Sequence, residues 1–253
     1  MKIHFIRAFS DNYIWVLETR PGHCLVVDPG DAQAVIEHMQ QHQLNIETVF
    51  ITHTHADHIG GLPLLQERYQ PIIYGPQHAA MPEETRYVQQ GDIVDINDDI
   101  TFDVIHTPGH KDEHVCYAHP TSVFTGDTLF AGGCGRLFDG APEQMFHSLA
   151  QLATLPDATR VYCAHEYTQA NLAFAYHIAP NHAAIKNRLD HVNKQRLTDE
   201  CTLPSTIQIE KATNPFLLCQ NPDFRAQVRM VTGQCPKDPV QTFAYLRHLK
   251  DEF

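Results

Sequence analysis

The chain has 253 residues, of which 43% are hydrophobic and 19% are charged. This balance is typical of a globular protein with one large or two modest domains, and it excludes a disordered tail protein, a collagen and a coiled coil. The 18 Lys and Arg residues stand against 30 Asp and Glu residues, and the resulting formal net charge of −12 argues against nucleic acid as a partner.

No segment of the sequence predicts a targeting signal or a membrane span. The first eleven residues lack the apolar core of a signal peptide, and no window approaches the 18 apolar residues of a spanning helix. Seven cysteines form no C-x-x-C pair, which indicates reduced thiols; they lie at positions 24, 116, 134, 163, 201, 219 and 235. We therefore expect a cytoplasmic protein without disulfides, membrane attachment or an obligatory protein partner.

The first two thirds of the chain alternate β-rich runs with helical segments. Residues 14–18 and 24–28 flank the turn signal Pro21-Gly22 and predict a hairpin, and residues 31–43 have helical apolar spacing. A second helix is predicted over 142–155. The other predicted strands cover residues 48–52, 72–74, 93–96, 101–106, 114–118, 122–125 and 160–163.

From residue 167 onward the pattern is helical. Helices are predicted over 167–179, 183–197 and 239–250, with little strand signal between them. The charge changes at the same place, because residues 1–165 hold 8 basic and 21 acidic side chains, whereas residues 166–253 hold 10 and 9. We expect an α/β sandwich over residues 1–165 and a smaller helical domain over residues 166–253.

A dense group of possible metal ligands follows the predicted strand 48–52. The run from Thr52 to His58 reads T-H-T-H-A-D-H, so three His and one Asp crowd the point where a strand opens into a loop. Three further candidates follow later strands: His110, Asp127 and His165. Imidazole and carboxylate groups are costly to bury unpaired, so we expect this group to bind metal. Ligands without thiolate suit zinc, iron or manganese in an open site, and seven ligands suit two ions.

Other polar motifs point to ordinary structure. Residues 110–114 match the H-x-x-E-H spacing of some zinc proteases, but the Pro108-Gly109 turn before them predicts a loop leading into a strand. None of the four serines lies in G-x-S-x-G, and Cys134 in a Gly-rich loop suggests close backbone approach more than a nucleophile. Ten other histidines are expected to be ordinary core or surface residues: His4, His23, His38, His42, His78, His119, His147, His177, His191 and His248.

Four motifs in order carry a resemblance that covers nearly the whole chain. They are T-H-x-H-x-D-H at 52–58, T-P-G-H at 107–110, F-x-G-D-T-L-F at 124–130 and C-A-H-E-Y-T at 163–168. Together they resemble the metallo-β-lactamase superfamily and, within it, the glyoxalase II group, the hydroxyacylglutathione hydrolases. The resemblance implies a four-layer αββα sandwich with a smaller all-helical C-terminal domain. It also implies two divalent metal ions per chain, with Zn²⁺ preferred and Fe or Mn as alternatives.

The resemblance assigns roles by position. It places the first metal on His53, His55 and His110, the second on Asp57, His58 and His165, and Asp127 between the two. Asp57 and Asp127 would hold and orient a hydroxide that bridges the metals, and Asp28 would orient a ligand histidine. The substrate would be contacted by Arg136, Phe138 and Tyr167.

The activity implied by the resemblance is hydrolysis of the thioester S-D-lactoylglutathione to D-lactate and glutathione, the second step of methylglyoxal detoxification. The partner would therefore be a small-molecule glutathione thioester. Alternatives are a persulfide dioxygenase with a single iron, a hydrolase of another thioester and, less favoured, a nuclease or a non-catalytic metal-binding module. The sequence departs from the pattern at several positions. The main one is Leu218, which stands where relatives commonly have a cation for the glycine carboxylate; Arg225, Arg229 or Lys211 could replace it.

Overall fold

The computed structural model describes residues 2–234 and 236–253, which form two compact units. Unit 1 runs to His106 and includes Glu113–Gly126, whereas unit 2 comprises Thr107–Asp112 and Asp127–Phe253. Cys235 lies outside the described residues, and the six described cysteines form no disulfide with one another. Among the described residues, no helix has the length and apolar character needed to cross a membrane.

Unit 1 contains most of the β-structure. Its elements in chain order are β1 (Lys2–Ala8), β2 (Asn12–Arg20), β3 (His23–Val27), α1 (Ala32–His42), β4 (Asn45–Phe50), α2 (Ala56–Ile59), α3 (Leu62–Tyr69), β5 (Ile72–Gly75), β6 (Arg86–Tyr87), β7 (Ile93–Asn97), β8 (Ile100–His106), β9 (Val115–His119) and β10 (Ser122–Gly126). Strands β2, β3, β4, β5 and β7 to β10 lie where the sequence predicts strands, whereas β1, β6 and α3 were not predicted.

The first sheet of unit 1 has the order β1-β2-β3-β4-β5-β6. The predicted hairpin is confirmed, because β2 and β3 pair antiparallel with Trp15 opposite Val27. Strand β4 pairs parallel with both β3 and β5. The carboxyl ends of β3 and β4 therefore meet at one edge of the sheet, which is where parallel sheets commonly carry their functional loops.

The two faces of this sheet pack against different elements, because successive side chains of a strand point to opposite faces. Val49 of β4 belongs to an apolar cluster that includes Val35 of α1 and Leu65 of α3. Its neighbour Phe50 stacks on Tyr117 of β9 with ring centroids 4.0 Å apart. Unit 1 is thus layered as helices, the first sheet and the β7-β8-β9-β10 sheet.

Unit 2 is mainly helical. Its elements are β11 (Leu129–Phe130), β12 (Gly133–Cys134), α4 (Pro142–Leu152), β13 (Arg160–Cys163), α5 (Thr168–Ile178), α6 (Ala183–Leu197), β14 (Ser205–Thr206), α7 (Ile207–Thr213), α8 (Pro215–Leu218), α9 (Pro222–Thr232) and α10 (Pro239–Glu252). The predicted helices over 142–155, 167–179, 183–197 and 239–250 are confirmed as α4, α5, α6 and α10. The helices α7 to α9 and the two-residue strands β11, β12 and β14 were not predicted.

A buried carboxylate ties the helices of unit 2 to the Gly-rich turn between β11 and β12. Glu210 of α7 is fully buried and accepts hydrogen bonds from Arg188 Nη2 at 2.6 Å and from Gly132 N at 2.8 Å. A buried ion pair with additional donors holds its groups in one arrangement, since each lost partner would leave a buried charge unpaired. This contact fixes the start of the segment that carries Cys134 and Arg136.

Candidate metal centre

In unit 1 the residues that follow β3 and β4 are joined by hydrogen bonds. Thr52 donates its backbone N–H to Asp28 Oδ1 at 2.8 Å and its hydroxyl to Asp28 Oδ2 at 2.7 Å. Asp28 is buried and has a φ of 51°, in the left-handed region that Asp tolerates better than most residues. This backbone conformation turns the chain at the end of β3 and directs the carboxylate toward the loop after β4.

Asp28 sets the ring orientation of two candidate ligands. Because the single Thr52 hydroxyl proton goes to Asp28, the Thr52 oxygen accepts from His53 Nδ1, which lies 3.1 Å away. The carboxylate Oδ2 also lies 3.0 Å from His58 Nδ1, an ion-pair contact. In the His53 ring the proton is therefore on Nδ1 and the lone pair on Nε2, the arrangement that hydrogen-bond partners of metal-binding histidines commonly impose.

The four candidates of the T-H-T-H-A-D-H run lie in two pairs. His53 Nε2 is 3.0 Å from His55 Nδ1, and His58 Nε2 is 3.4 Å from Asp57 Oδ2. Asn12 donates its side-chain amide to the same Asp57 oxygen at 2.8 Å. A Cβ on Gly30 would lie 1.8 Å from the Asp57 carbonyl oxygen, so glycine at position 30 allows this loop to approach the end of β3.

In unit 2 Asp127 lies between two histidines. Its Oδ2 is 3.4 Å from His110 Nε2, and its Oδ1 is 3.3 Å from His165 Nε2. His110 donates from Nδ1 to the Arg136 carbonyl oxygen at 2.8 Å, which leaves the lone pair on Nε2. Each oxygen of one carboxylate thus faces a different imidazole, and this is the arrangement that a ligand shared by two cations requires.

The chemistry of these groups suits divalent metal ions. Ligand atoms lie within 4.8 Å of one another in the pairs His53 with His55, Asp57 with His58, and His110 with Asp127. Five of the seven candidates are buried: His53, His58, His110, Asp127 and His165. Buried imidazoles and carboxylates are stable when they share a cation, and a donor set without thiolate is typical of catalytic zinc, iron or manganese. The chain therefore holds His and Asp groups suited to binding metal.

The Gly-rich turn approaches the unit 2 ligands closely, as the sequence predicts. A Cβ on Gly135 would lie 2.0 Å from the Asp127 carbonyl oxygen and 2.9 Å from His110 Nδ1. Cys134 is buried, and this burial raises the pKa of its thiol to about 11. The thiol therefore stays protonated near neutral pH, which disfavours a role as nucleophile.

The three predicted substrate residues all adjoin a candidate ligand of unit 2. Arg136 accepts from His110 through its carbonyl oxygen. The Phe138 ring meets His110 edge-on with centroids 5.2 Å apart, and it is 59% exposed. Tyr167 stacks on His165 with centroids 4.8 Å apart and an interplanar angle of 4°. Two aromatic rings and the Arg136 backbone thus contact the two histidines of the His110, Asp127 and His165 group.

Sequence reasoning missed two cations of α10. Arg247 donates to the Cys134 carbonyl oxygen at 2.8 Å and to Asp251 at 3.0 Å. The same Asp251 oxygen lies 3.2 Å from Arg136 Nε. Burial lowers the pKa of the Lys250 ammonium group, and the nearby positive charge of Arg247 lowers it further. The only sequence signal was the helical spacing of these residues, which does not reveal their proximity to Arg136.

His114 is a second residue whose place was not foreseen. The segment 110–114 is a loop leading into β9, as predicted, so the H-x-x-E-H match is not a zinc-binding helix. The His114 ring is buried and stacks on His53 with centroids 5.0 Å apart. His114 therefore restrains a candidate ligand by packing.

Comparisons with known proteins identify the family of this chain. Residues 8–165 match the metallo-beta-lactamase superfamily, and residues 166–253 match the hydroxyacylglutathione hydrolase C-terminus. A protein of Vibrio parahaemolyticus named hydroxyacylglutathione hydrolase is 42% identical over 255 residues, which cover 100% of both chains. The chain belongs to the hydroxyacylglutathione hydrolase family. The resemblance noted in the sequence motifs is therefore confirmed.

Solved structures support the fold. The crystal structure of ETHE1 from Myxococcus xanthus has a TM-score of 0.66 and 25% identity, and the match covers 99% of this chain and 100% of that one. TTHA1623 in a di-iron-bound form has a TM-score of 0.61 and 25% identity, with 84% and 98% coverage. The predicted fold class is confirmed as a metallo-β-lactamase fold with mixed α/β sheets and a helical C-terminal region.

Proposed function

We propose that this protein is a cytoplasmic enzyme that hydrolyses S-D-lactoylglutathione to D-lactate and glutathione. The observation that carries the proposal is full-length similarity, at 42% identity, to a relative named for this class of reaction. The match of residues 166–253 to the C-terminal region of that family favours the hydrolase over the single-iron dioxygenase alternative. The positions of Arg136, Phe138 and Tyr167 beside candidate ligands support the same reaction.

The seven candidates would hold two divalent ions, with His53, His55 and His110 on the first, Asp57, His58 and His165 on the second, and Asp127 shared. Zinc fits this donor set, as do iron and manganese. When bound, two such cations lower the pKa of water toward about 7 and polarise a carbonyl oxygen. No protein nucleophile is then needed, which agrees with the protonated thiol of Cys134.

The chain's own residues prepare this site. Asp28 keeps the proton of His53 on Nδ1 through Thr52, so that His53 Nε2 keeps its lone pair, and the same carboxylate lies beside His58 Nδ1. The Arg136 carbonyl does the same for His110. The thiol released from a glutathione thioester has a pKa of about 8.5, so it can depart as thiolate, and the chain needs no dedicated proton donor.

The glutathione portion would be held by the cations around Arg136. Arg136, Arg247 and Lys250 form a cationic group that Asp251 neutralises only in part. A glutathione carboxylate carries the complementary charge. Two expected substitutes for the missing cation at Leu218 are already engaged, because Lys211 binds Asp157 and Arg225 donates to the carbonyl oxygens of Cys219 and Gln220. Arg136, Arg247 and Lys250 instead place three positive charges around the single carboxylate of Asp251, so we assign the glutathione carboxylate to them.

The proposal is tested by following thiol release from S-D-lactoylglutathione by the purified protein. Other glutathione thioesters and coenzyme A thioesters serve as matched substrates. A higher kcat/KM for the lactoyl compound supports the proposal. A preference for another thioester would indicate a different thioester hydrolase. Oxygen uptake with a glutathione persulfide would indicate a persulfide dioxygenase, and metal binding without turnover would indicate a non-catalytic metal-binding module.

A further inference from the structure

Three histidines outside the candidate metal centre form a compact cluster in unit 1. His4 lies on β1, and His38 and His42 lie one turn apart near the end of α1. The ring centroids are 5.5 Å apart for His4 and His38, 5.3 Å for His4 and His42, and 4.2 Å for His38 and His42. One ligand nitrogen of each ring lies within 4.8 Å of the other two.

The cluster is separate from the ligands that follow β3 and β4. Helix α1 starts beside that edge of the sheet, since Asp31 caps its first turn and follows Asp28 closely in the chain. A rise of about 1.5 Å per residue puts His42 roughly 15 Å along the helix from its start. The two sets of histidines therefore cannot share one ion.

A carboxylate orients one of the three rings. Glu18 of β2 lies 2.6 Å from His4 Nε2 and also accepts from Lys2. The Lys2 hydrogen bond lowers the pKa of Glu18, so its side chain is an ionised acceptor. The His4 proton is therefore on Nε2, and Nδ1 keeps its lone pair. A carboxylate behind a histidine is a common feature of metal sites, where it fixes the tautomer and makes the ring a better ligand.

The other two rings are also suited to bind an ion. His38 Nε2 is buried and has no hydrogen-bond partner among the described residues, which is costly for a polar atom. His38 and His42 are four residues apart in α1, so both rings project from the same side of the helix. His42 is exposed, so an ion can reach the cluster from solvent.

We propose that His4, His38 and His42 form a second metal site, which binds a late divalent transition-metal ion such as Zn²⁺ or Cu²⁺ through three imidazoles. Imidazole nitrogens suit these ions, and a water molecule can complete a four-coordinate site. Tetrahedral nitrogen ligands at a zinc distance of about 2.0 Å lie about 3.3 Å apart, so small side-chain rotations would bring the three rings into place. The ion would link β1 to α1.

The test compares metal binding by the full-length wild type and by His42→Ala. Both proteins are dialysed against the same buffered free Zn²⁺, and bound zinc is counted by mass spectrometry. We expect wild type to bind one equivalent more than His42→Ala, whatever the content of the other centre. Because His42 is exposed, its removal leaves the core of unit 1 intact. Glu18→Gln should keep the site and weaken its zinc affinity by about tenfold.

His191→Ala is the matched control, because His191 is likewise an exposed histidine on a helix. It should bind as much zinc as wild type. Titration with Cu²⁺ gives a second readout, since electron paramagnetic resonance of wild type should show one additional copper signal with nitrogen couplings that is missing from the spectrum of His42→Ala. Equal zinc content in wild type and His42→Ala, with identical copper spectra, would overturn the proposal.

Discussion

Asp28 contacts His58 through a distance of 3.0 Å between its Oδ2 and the ring Nδ1, and the same oxygen accepts the Thr52 hydroxyl. The carboxylate of a strand-end residue thus reaches one candidate ligand directly and another, His53, through one hydroxyl group. The geometry of the loop after β4 therefore depends on Asp28, which lies before helix α1 and strand β4 in the chain.

Replacement of Asp28 by Asn should weaken metal binding without unfolding the protein. The amide cannot accept both Thr52 hydrogen bonds as the carboxylate does, so His53 loses its fixed tautomer and His58 loses the negative charge beside its Nδ1. We expect metal affinity to fall by about 10- to 100-fold, measured by competition with a chelator. Asp95→Asn, at an exposed position of β7, should leave the affinity unchanged. Equal affinities for Asp28→Asn and wild type would contradict the role of Asp28.

Gly135→Ala should disturb Asp127 and His110. The added Cβ would lie 2.0 Å from the Asp127 carbonyl oxygen, so the backbone must move. We expect thioester hydrolysis to fall by at least tenfold. Gly91→Ala is the control, because Gly91 has a φ of 85° and nothing within 4 Å of the added atom. It should cost about 1 kcal/mol of unfolding free energy and leave the rate unchanged. Similar rates of thioester hydrolysis by Gly135→Ala and Gly91→Ala would show that the close approach at Gly135 is not required for activity.

The Cys134 thiol should be dispensable. Burial raises its pKa to about 11, so the reactive thiolate appears only as the pH rises toward that value. Iodoacetamide at pH 8 should leave Cys134 unmodified in a peptide map, and Cys134→Ala should keep kcat within a few-fold of wild type. Rapid alkylation of Cys134 together with loss of turnover would instead indicate a nucleophilic cysteine.

Lys250→Met should raise KM more than it lowers kcat. Its charge would attract a carboxylate remote from the reacting carbonyl, so the loss should affect ground state and transition state alike. We expect KM for S-D-lactoylglutathione to rise by roughly tenfold, the size of one charged contact. Lys194→Met, at an exposed position of α6, serves as the control. An unchanged KM for Lys250→Met would show that the cations of α10 do not bind the substrate.

Local sequence patterns were sufficient for much of the fold and for the ligand candidates. The β-branched run over 48–52 and the polar run after it are local signals, so β4 and the residues from His53 to His58 could be located without a structure. Strand β1 was missed because only two of its seven side chains are buried, and it is held by pairing with β2.

Features set by tertiary contacts could not be predicted. Helix α7 depends on the buried Glu210, whose partners Arg188 and Gly132 are distant in sequence. Arg247 and Cys134 are 113 positions apart in the chain, and no repeating pattern in the sequence predicts their contact. The histidines His4, His38 and His42 look ordinary along the chain because only the packing of α1 on β1 brings them together.

The most direct test of the account is the rate of S-D-lactoylglutathione hydrolysis by protein stripped of metal with a chelator and then titrated with Zn²⁺. Two divalent ions bound by imidazole and carboxylate ligands are the centre of the proposed chemistry. The account predicts that the stripped protein is inactive, that zinc restores the rate, and that Asp127→Asn is not restored. Hydrolysis by metal-free protein at the untreated rate would contradict it.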